Sequence, residues 1–189
     1  EVIARSYAYR GDGETYDDYE AMLRADIRNI DRYHLPLSAY RIEGWGFNDP
    51  DDNHGLALHT WVHGPEQAAM ISDLQERGIH PLAYLRPWLE PGSAPVKAGY
   101  AVRGADGSPY VVSGSSGRQF AMVDFTNPDA VAWWQDQVRQ VLDLGFDGFM
   151  QDYGEQILFD MHFHDGTTGY TRHNDYLTLY GKATQEEVQ

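Results

Sequence analysis

Asp152 and Glu155 close the stretch Gly145-Phe-Asp-Gly-Phe-Met-Gln-Asp-Tyr-Gly-Glu155, where a short apolar run breaks into a glycine-containing loop. In sheets built from strand–helix repeats, the carboxyl ends of strands hold converging loops rigidly, so an acid placed there can do chemistry on a bound substrate. Position alone leaves two other readings open, a capping carboxylate and a solvated loop acid. Two further apolar runs end on polar and aromatic groups: Glu43 and Trp45 after Tyr40-Arg41-Ile42, and Arg86 and Trp88 within Leu85-Arg86-Pro87-Trp88-Leu89. Carboxylates beside aromatic rings suit a sugar, whose ring faces stack on Trp or Tyr while its hydroxyls donate to carboxylates. Cleaving a glycoside takes two carboxyls about the scissile bond, about 5–5.5 Å apart where one is a nucleophile.

Other reactive residue types carry less. His54, His59 and His63 fall within ten residues, but Gly64-Pro65 prevents a helix that would present His59 and His63 as a zinc-binding pair. His162, His164 and His173 share no fixed spacing, so no metal is expected. Gly104-Ala-Asp-Gly-Ser lacks the lysine and the strand-to-helix setting of a phosphate loop.

The elements that must position these groups alternate. Strand-like runs cover Ile3–Tyr9, Leu35–Ile42, Ile79–Leu85 and Gly148–Asp152, with a shorter one at Met122–Phe125. Between them, Tyr16–His34 places Tyr19, Met22, Leu23, Ile27 and Ile30 on one face at helical spacing. Pro65 opens a second helix that Gly78 ends, and Asn127-Pro128 opens a third that ends at Leu144-Gly145. A last helix is expected over His173–Ala183. Ala105-Asp-Gly-Ser108 reads as a hairpin turn between Tyr100–Arg103 and Tyr110–Val112. Apolar rather than alternating strands, separated by helices, imply a parallel sheet covered by helices. The long loops follow strands while the helix-to-strand connections are short, the asymmetry of a (β/α) barrel with one functional face. Four strand–helix units make half of such a barrel, whose usual length is about 250 residues.

Composition narrows the partners. Against 14 Lys and Arg stand 29 Asp and Glu, a formal charge of −15. That excess opposes binding to a phosphate backbone or an anionic membrane and suits a soluble protein with neutral ligands. There is no cysteine, so neither a disulfide framework nor a thiolate site exists, and the absence fits a reducing compartment such as the cytoplasm. The chain opens Glu1-Val2-Ile3 and stops at Gln189 inside a polar helical pattern; it reads as a piece of a longer protein.

Four blocks together resemble glycoside hydrolase family 31: Pro36-Leu-Ser-Ala-Tyr-Arg-Ile-Glu-Gly-Trp45, Asp124-Phe-Thr-Asn-Pro128, Asp147-Gly-Phe-Met-Gln-Asp-Tyr-Gly-Glu155 and His173-Asn-Asp-Tyr176. The resemblance implies an α/β fold, here the amino-terminal half of a (β/α)8 TIM barrel, with residues 1–189 as one partial catalytic barrel. It implies that Asp152 is the nucleophile of a retaining, exo-acting α-glycosidase, α-glucosidase-like, working through a covalent glycosyl-enzyme intermediate. Glu155 matches a supporting acid beside it. Glu43 stands where the family generally has an Asp, or in some members a Gln, contacting substrate hydroxyls. Trp45, Arg86 and Trp88 are taken with it as substrate-binding, with lid packing open for Trp88 and orientation of Glu43 or Asp152 open for Arg86. No cofactor is expected, and the partner is a carbohydrate.

Departures limit what carries over. The family's acid/base Asp lies on a later strand, beyond Gln189, so the rest of the same chain is expected to complete both barrel and machinery, and this piece alone to be inactive. Arg86-Pro87 stands where many members read Asn-Pro. The branch acting on sulfonated sugars resembles this chain around Asp152, but its Arg and Trp are not evident in Leu56–Trp61, so its substrate is not carried over. A non-catalytic carbohydrate-binding barrel and an α-transglycosylase are the alternatives.

Overall fold

The structure, a computed structural model, describes residues 2–5, 19–42, 65–114 and 119–188. It is an α/β chain in two compact units.

The first unit takes in residues up to 85 apart from a short insert, and returns for 141–150. Its strands β1 (Val2–Arg5), β2 (Ala39–Ile42), β3 (His80–Leu85) and β7 (Gly148–Gln151) form one sheet in the order β1-β2-β3-β7. The first three pair in parallel, Val2 opposite Ala39 and Ala39 opposite His80. Ala83, Tyr84 and Leu85 of β3 are all buried, as expected of a strand covered on both faces. Helix α1 (Tyr19–Tyr33) buries Leu23, Ile27 and Ile30 at spacings of four and three, and α2 (Pro65–Glu76) buries Met70, Ile71 and Leu74. Asp26 lies on the buried side of α1 and accepts a 2.6 Å hydrogen bond from the Tyr40 hydroxyl, which satisfies an otherwise costly buried acid. Gly78 (φ 72°) ends α2 in a left-handed cap, with Ile79 N–H returning to the Leu74 carbonyl. The turn into β7 is tied down by Gln75, whose amide donates to the Gly145 carbonyl and to Asp147, and by His80 against Asp147 at 2.7 Å.

The second unit holds residues 86–140 and 151–188 of the described chain. Sequence patterning expects mostly loop after β3. The structure instead shows a small antiparallel sheet, β4 (Trp88–Leu89), β6 (Gln119–Met122) and β5 (Val111–Ser113), with β6 in the middle. The hairpin turn at 105–108 is present, closed by Gly104 N–H to the Ser108 carbonyl and an Arg103–Pro109 bridge. Its flanks stay bonded beside the turn, with Tyr110 N–H donating to the Val102 carbonyl, and diverge farther out, where β5 pairs with β6 and Ala101 bridges to Val123. The short strand expected at Met122–Phe125 falls three residues earlier.

Asn127 caps α4 (Pro128–Asp143), its side-chain oxygen accepting from Asp129 N–H at 3.0 Å with Pro128 just inside the helix. Trp134 is fully buried against Phe125 and Tyr180, whereas Trp133 is half-buried beside Tyr100. The last helix expected over His173–Ala183 is α6 (Tyr176–Val188), which starts three residues later, runs on past Ala183 and buries Tyr176, Tyr180, Ala183 and Thr184; a single turn, α5 (Gly169–Arg172), precedes it. Among the described residues no helix is long and apolar enough to cross a membrane.

Candidate active site

β7 ends at Gln151, and the chain then makes an abrupt turn. Tyr153 adopts φ 64° and Gly154 φ 113°. A bulky residue in the left-handed region is rare and costs free energy, so the surrounding contacts must hold it there. Gly154 is required by its φ, one that side chains resist; a Cβ would also stand 2.6 Å from the Leu177 Cδ2, the movable end of a half-exposed side chain.

The turn fixes Asp152. Its Oδ1 accepts from the Tyr153 backbone N–H at 3.0 Å, leaving the half-buried carboxylate directed by the strained peptide that follows it. On its other side, Gln151 donates to the Thr184 hydroxyl at 2.6 Å, and that hydroxyl also accepts from the Trp134 indole and donates to the Tyr180 carbonyl. Asp152 is thus held between a residue anchored to α6 and a locked turn. Glu155 is exposed, with Oε1 accepting from the Gln156 amide at 2.6 Å.

Arg86 and Trp88 reach this turn through Tyr153. The Arg86 guanidinium lies 5.1 Å from the Tyr153 ring centroid and 5.3 Å from that of Trp88, a cation beside two rings that also touch each other. Trp88 stacks on Phe120 at 4.1 Å and meets Tyr153 at 4.2 Å. Its indole N–H donates to Gln156 Oε1 at 3.3 Å. Both side chains are buried, Arg86 at 6 % and Trp88 at 8 % exposure. The structure therefore joins four of the six residues singled out from sequence: Asp152 and Glu155 flank Tyr153, and Arg86 and Trp88 pack on it. Glu43 and Trp45 lie outside the described residues, as do His54, His59 and His63. Tyr153, Gln156, Gln151 and Thr184 were not singled out. Their importance comes from backbone conformation and long-range hydrogen bonds, and no spacing signals either.

A second layer fastens the segment that follows. Buried Asp124 accepts from the Thr126 N–H (3.0 Å) and hydroxyl (2.7 Å) and from His164 N–H (2.7 Å), so the block Asp124–Pro128 is a structural clasp. Arg172 spans Asp165 and Asp175, each at 2.5 Å. Burial pushes the Asp165 carboxyl up, but the Thr167 hydroxyl and N–H and the Arg172 guanidinium outweigh it and bring it below the usual carboxylate range. His173 Nδ1 lies 2.6 Å from the Ile157 carbonyl, and the Tyr176 hydroxyl donates to the Val123 carbonyl at 2.7 Å. Burial, with Tyr180 and Asp124 nearby, pushes the Tyr176 phenol well up, so it stays a donor. Among the described residues no group of three His, Asp or Glu could hold a metal ion. A carboxylate held at a strand end can attack or stabilise an electron-poor carbon, while Trp88 and Phe120 behind it are buried.

The model of the "Glycosyl hydrolases family 31 TIM-barrel domain" matches residues 6–189. The alpha-xylosidase XylQ of Lactiplantibacillus pentosus is 34 % identical over 186 residues, 93 % of this chain and 23 % of that protein. A sulfoquinovosidase of Agrobacterium fabrum is 30 % identical over 131 residues, 66 % of this chain and 20 % of its own. A solved sulfoquinovosidase from E. rectale, in complex with an aza-sugar inhibitor, superposes with TM-score 0.74 at 23 % identity, covering 99 % of this chain and 28 % of that one. The chain thus spans about a quarter of the relatives it matches, and its strands and helices are part of a TIM barrel.

Proposed function

We propose, from the premise that this chain belongs to glycoside hydrolase family 31, that it is one part of the catalytic barrel of a retaining, exo-acting α-glycosidase. Residues 1–189 form a single partial barrel in this reading, with β1, β2, β3 and β7 as its first four strands. The observation that supports it most is Asp152, placed at the end of β7 and oriented by the strained Tyr153 peptide.

In the reaction, an Asp152 carboxylate oxygen attacks the anomeric carbon of a bound α-glycoside as the bond to the leaving oxygen breaks. A carboxylic acid elsewhere in the full-length protein gives that oxygen its proton. The same group, now a carboxylate, takes a proton from water, whose oxygen displaces Asp152 and releases the sugar with its configuration retained. Glu155 supports the nucleophile's site. Arg86 and Trp88 set the wall against which Tyr153 stands, and Glu43 and Trp45 join them as substrate contacts on the resemblance alone. Family relatives include an alpha-xylosidase, so α-xylosides join α-glucosides as substrates to try.

A fluorinated α-glycosyl fluoride, incubated with the full-length protein and followed by peptide mass spectrometry, tests this. Label is expected on Asp152 and is lost in Asp152→Ala. Label on any other residue would sink the assignment.

A further inference from the structure

We infer that Gln156 is a positioning residue of this site, setting both carboxylates through one side-chain amide; the inference rests on the glycosidase reading above. Three bonds converge on that amide. Its Oε1 accepts from the Gly154 backbone N–H at 3.2 Å and from the Trp88 indole at 3.3 Å, and its Nε2 donates to Glu155 Oε1 at 2.6 Å. The partners decide the amide's orientation. Two are obligate donors and the third is a carboxylate, so a flipped amide would set N–H against N–H and oxygen against oxygen. Gln156 can therefore occupy its place in one sense only.

What it holds is the turn that aims Asp152. The Gly154 N–H belongs to the peptide between Tyr153 and Gly154, the two residues in positive φ. The neighbouring peptide N–H, that of Tyr153, is the one that binds Asp152 Oδ1. Pinning Gly154 thus limits how far the Tyr153 peptide can rotate, and through it the Asp152 carboxylate. The same amide ties the turn to Trp88, whose ring also packs on Tyr153. Glu155 is exposed, and a long exposed side chain keeps a single rotamer only when something fixes its end. The Gln156 donor does so.

Gln156→Glu separates positioning from folding, because a carboxylate preserves size and both acceptor bonds but sets oxygen against Glu155. In the full-length protein its melting temperature is expected to stay near that of the unaltered protein. Trapping at Asp152 and kcat on para-nitrophenyl α-xyloside or α-glucoside should fall between about 10- and 100-fold, the scale of a misplaced reacting group. KM should move less than about threefold, a loss felt in the transition state. Gln156→Ala should lose kcat at least as far. Unchanged trapping and kcat in Gln156→Glu would overturn the inference. So would a proportional loss of melting temperature, binding and rate in both variants, which would mark Gln156 as structural only. If the unaltered protein is not labelled at Asp152, the glycosidase reading itself falls, a result distinct from either.

Discussion

Tyr153 carries the cost of aiming Asp152, and Gly154 makes that conformation reachable. Gly154→Ala should therefore destabilise the protein by about 1–3 kcal/mol through backbone strain. The contact with Leu177 is a separate matter, since that side chain is half exposed and its methyl can swing aside. Adding Leu177→Ala to Gly154→Ala is expected to leave most of the loss in place, measured by denaturant unfolding. Full recovery in the double variant would mean that the clash, not φ, decides. At this scale the sequence was legible where chemistry names a residue type. Two carboxylates in a Gly-containing strand end marked themselves, and so did Arg86 and Trp88. Gln156 did not, because a glutamine in a loop has no pattern until its three partners are in space.

The elements were legible where they are long and periodic. α1, α2 and α4 end within a few residues of their expected limits because proline, glycine and asparagine sit at their boundaries. The sheet of β4, β6 and β5 was not, since strands of two to four residues carry too little pattern and pair across intervals that local sequence does not encode. The last helix begins at Tyr176 rather than at the expected His173, because Asp175 is drawn into the Arg172 clasp just before it. That clasp has a pH signature. Asp165 holds its proton less tightly in the native protein than unfolded, so its stabilisation is fully present above about pH 4 and is lost as pH falls through the native value. Asp106, lowered by its bonds from Ser108, adds in the same direction. Asp165→Asn should therefore be less stable near neutrality and show a shallower acid loss than the unaltered protein, read by urea midpoints across pH. An unchanged acid slope would remove Asp165 from the account.

For the molecule as a whole, a net charge of −15 and the absence of cysteine bound the partners without naming one. A parallel sheet followed from apolar strands alternating with helices, and β1, β2 and β3 pair in that way. The family rested on four blocks in order, because any one alone is weak and the Asp147–Glu155 block becomes specific only in the company of the others. Met150 of β7, an outer strand of that sheet, is 40 % exposed, unlike the buried residues of β3. An apolar strand so placed suits a sheet that continues in the full-length protein. We accordingly expect residues 1–189 expressed alone to hydrolyse neither para-nitrophenyl α-xyloside nor α-glucoside; turnover by that piece would contradict the division of the machinery proposed above.

Two indole hydrogens offer clocks for parts of this protein. The Trp134 N–H is buried against the Thr184 hydroxyl between α4 and α6, whereas that of Trp88 ends on Gln156 at the turn after β7. In deuterated water each proton leaves only when its own hydrogen bond opens, so their exchange rates report two different openings. Trp88 should exchange first, with α6 still docked. Equal rates would mean that the turn and the core beneath it breathe as one unit, and that the site cannot loosen without the fold.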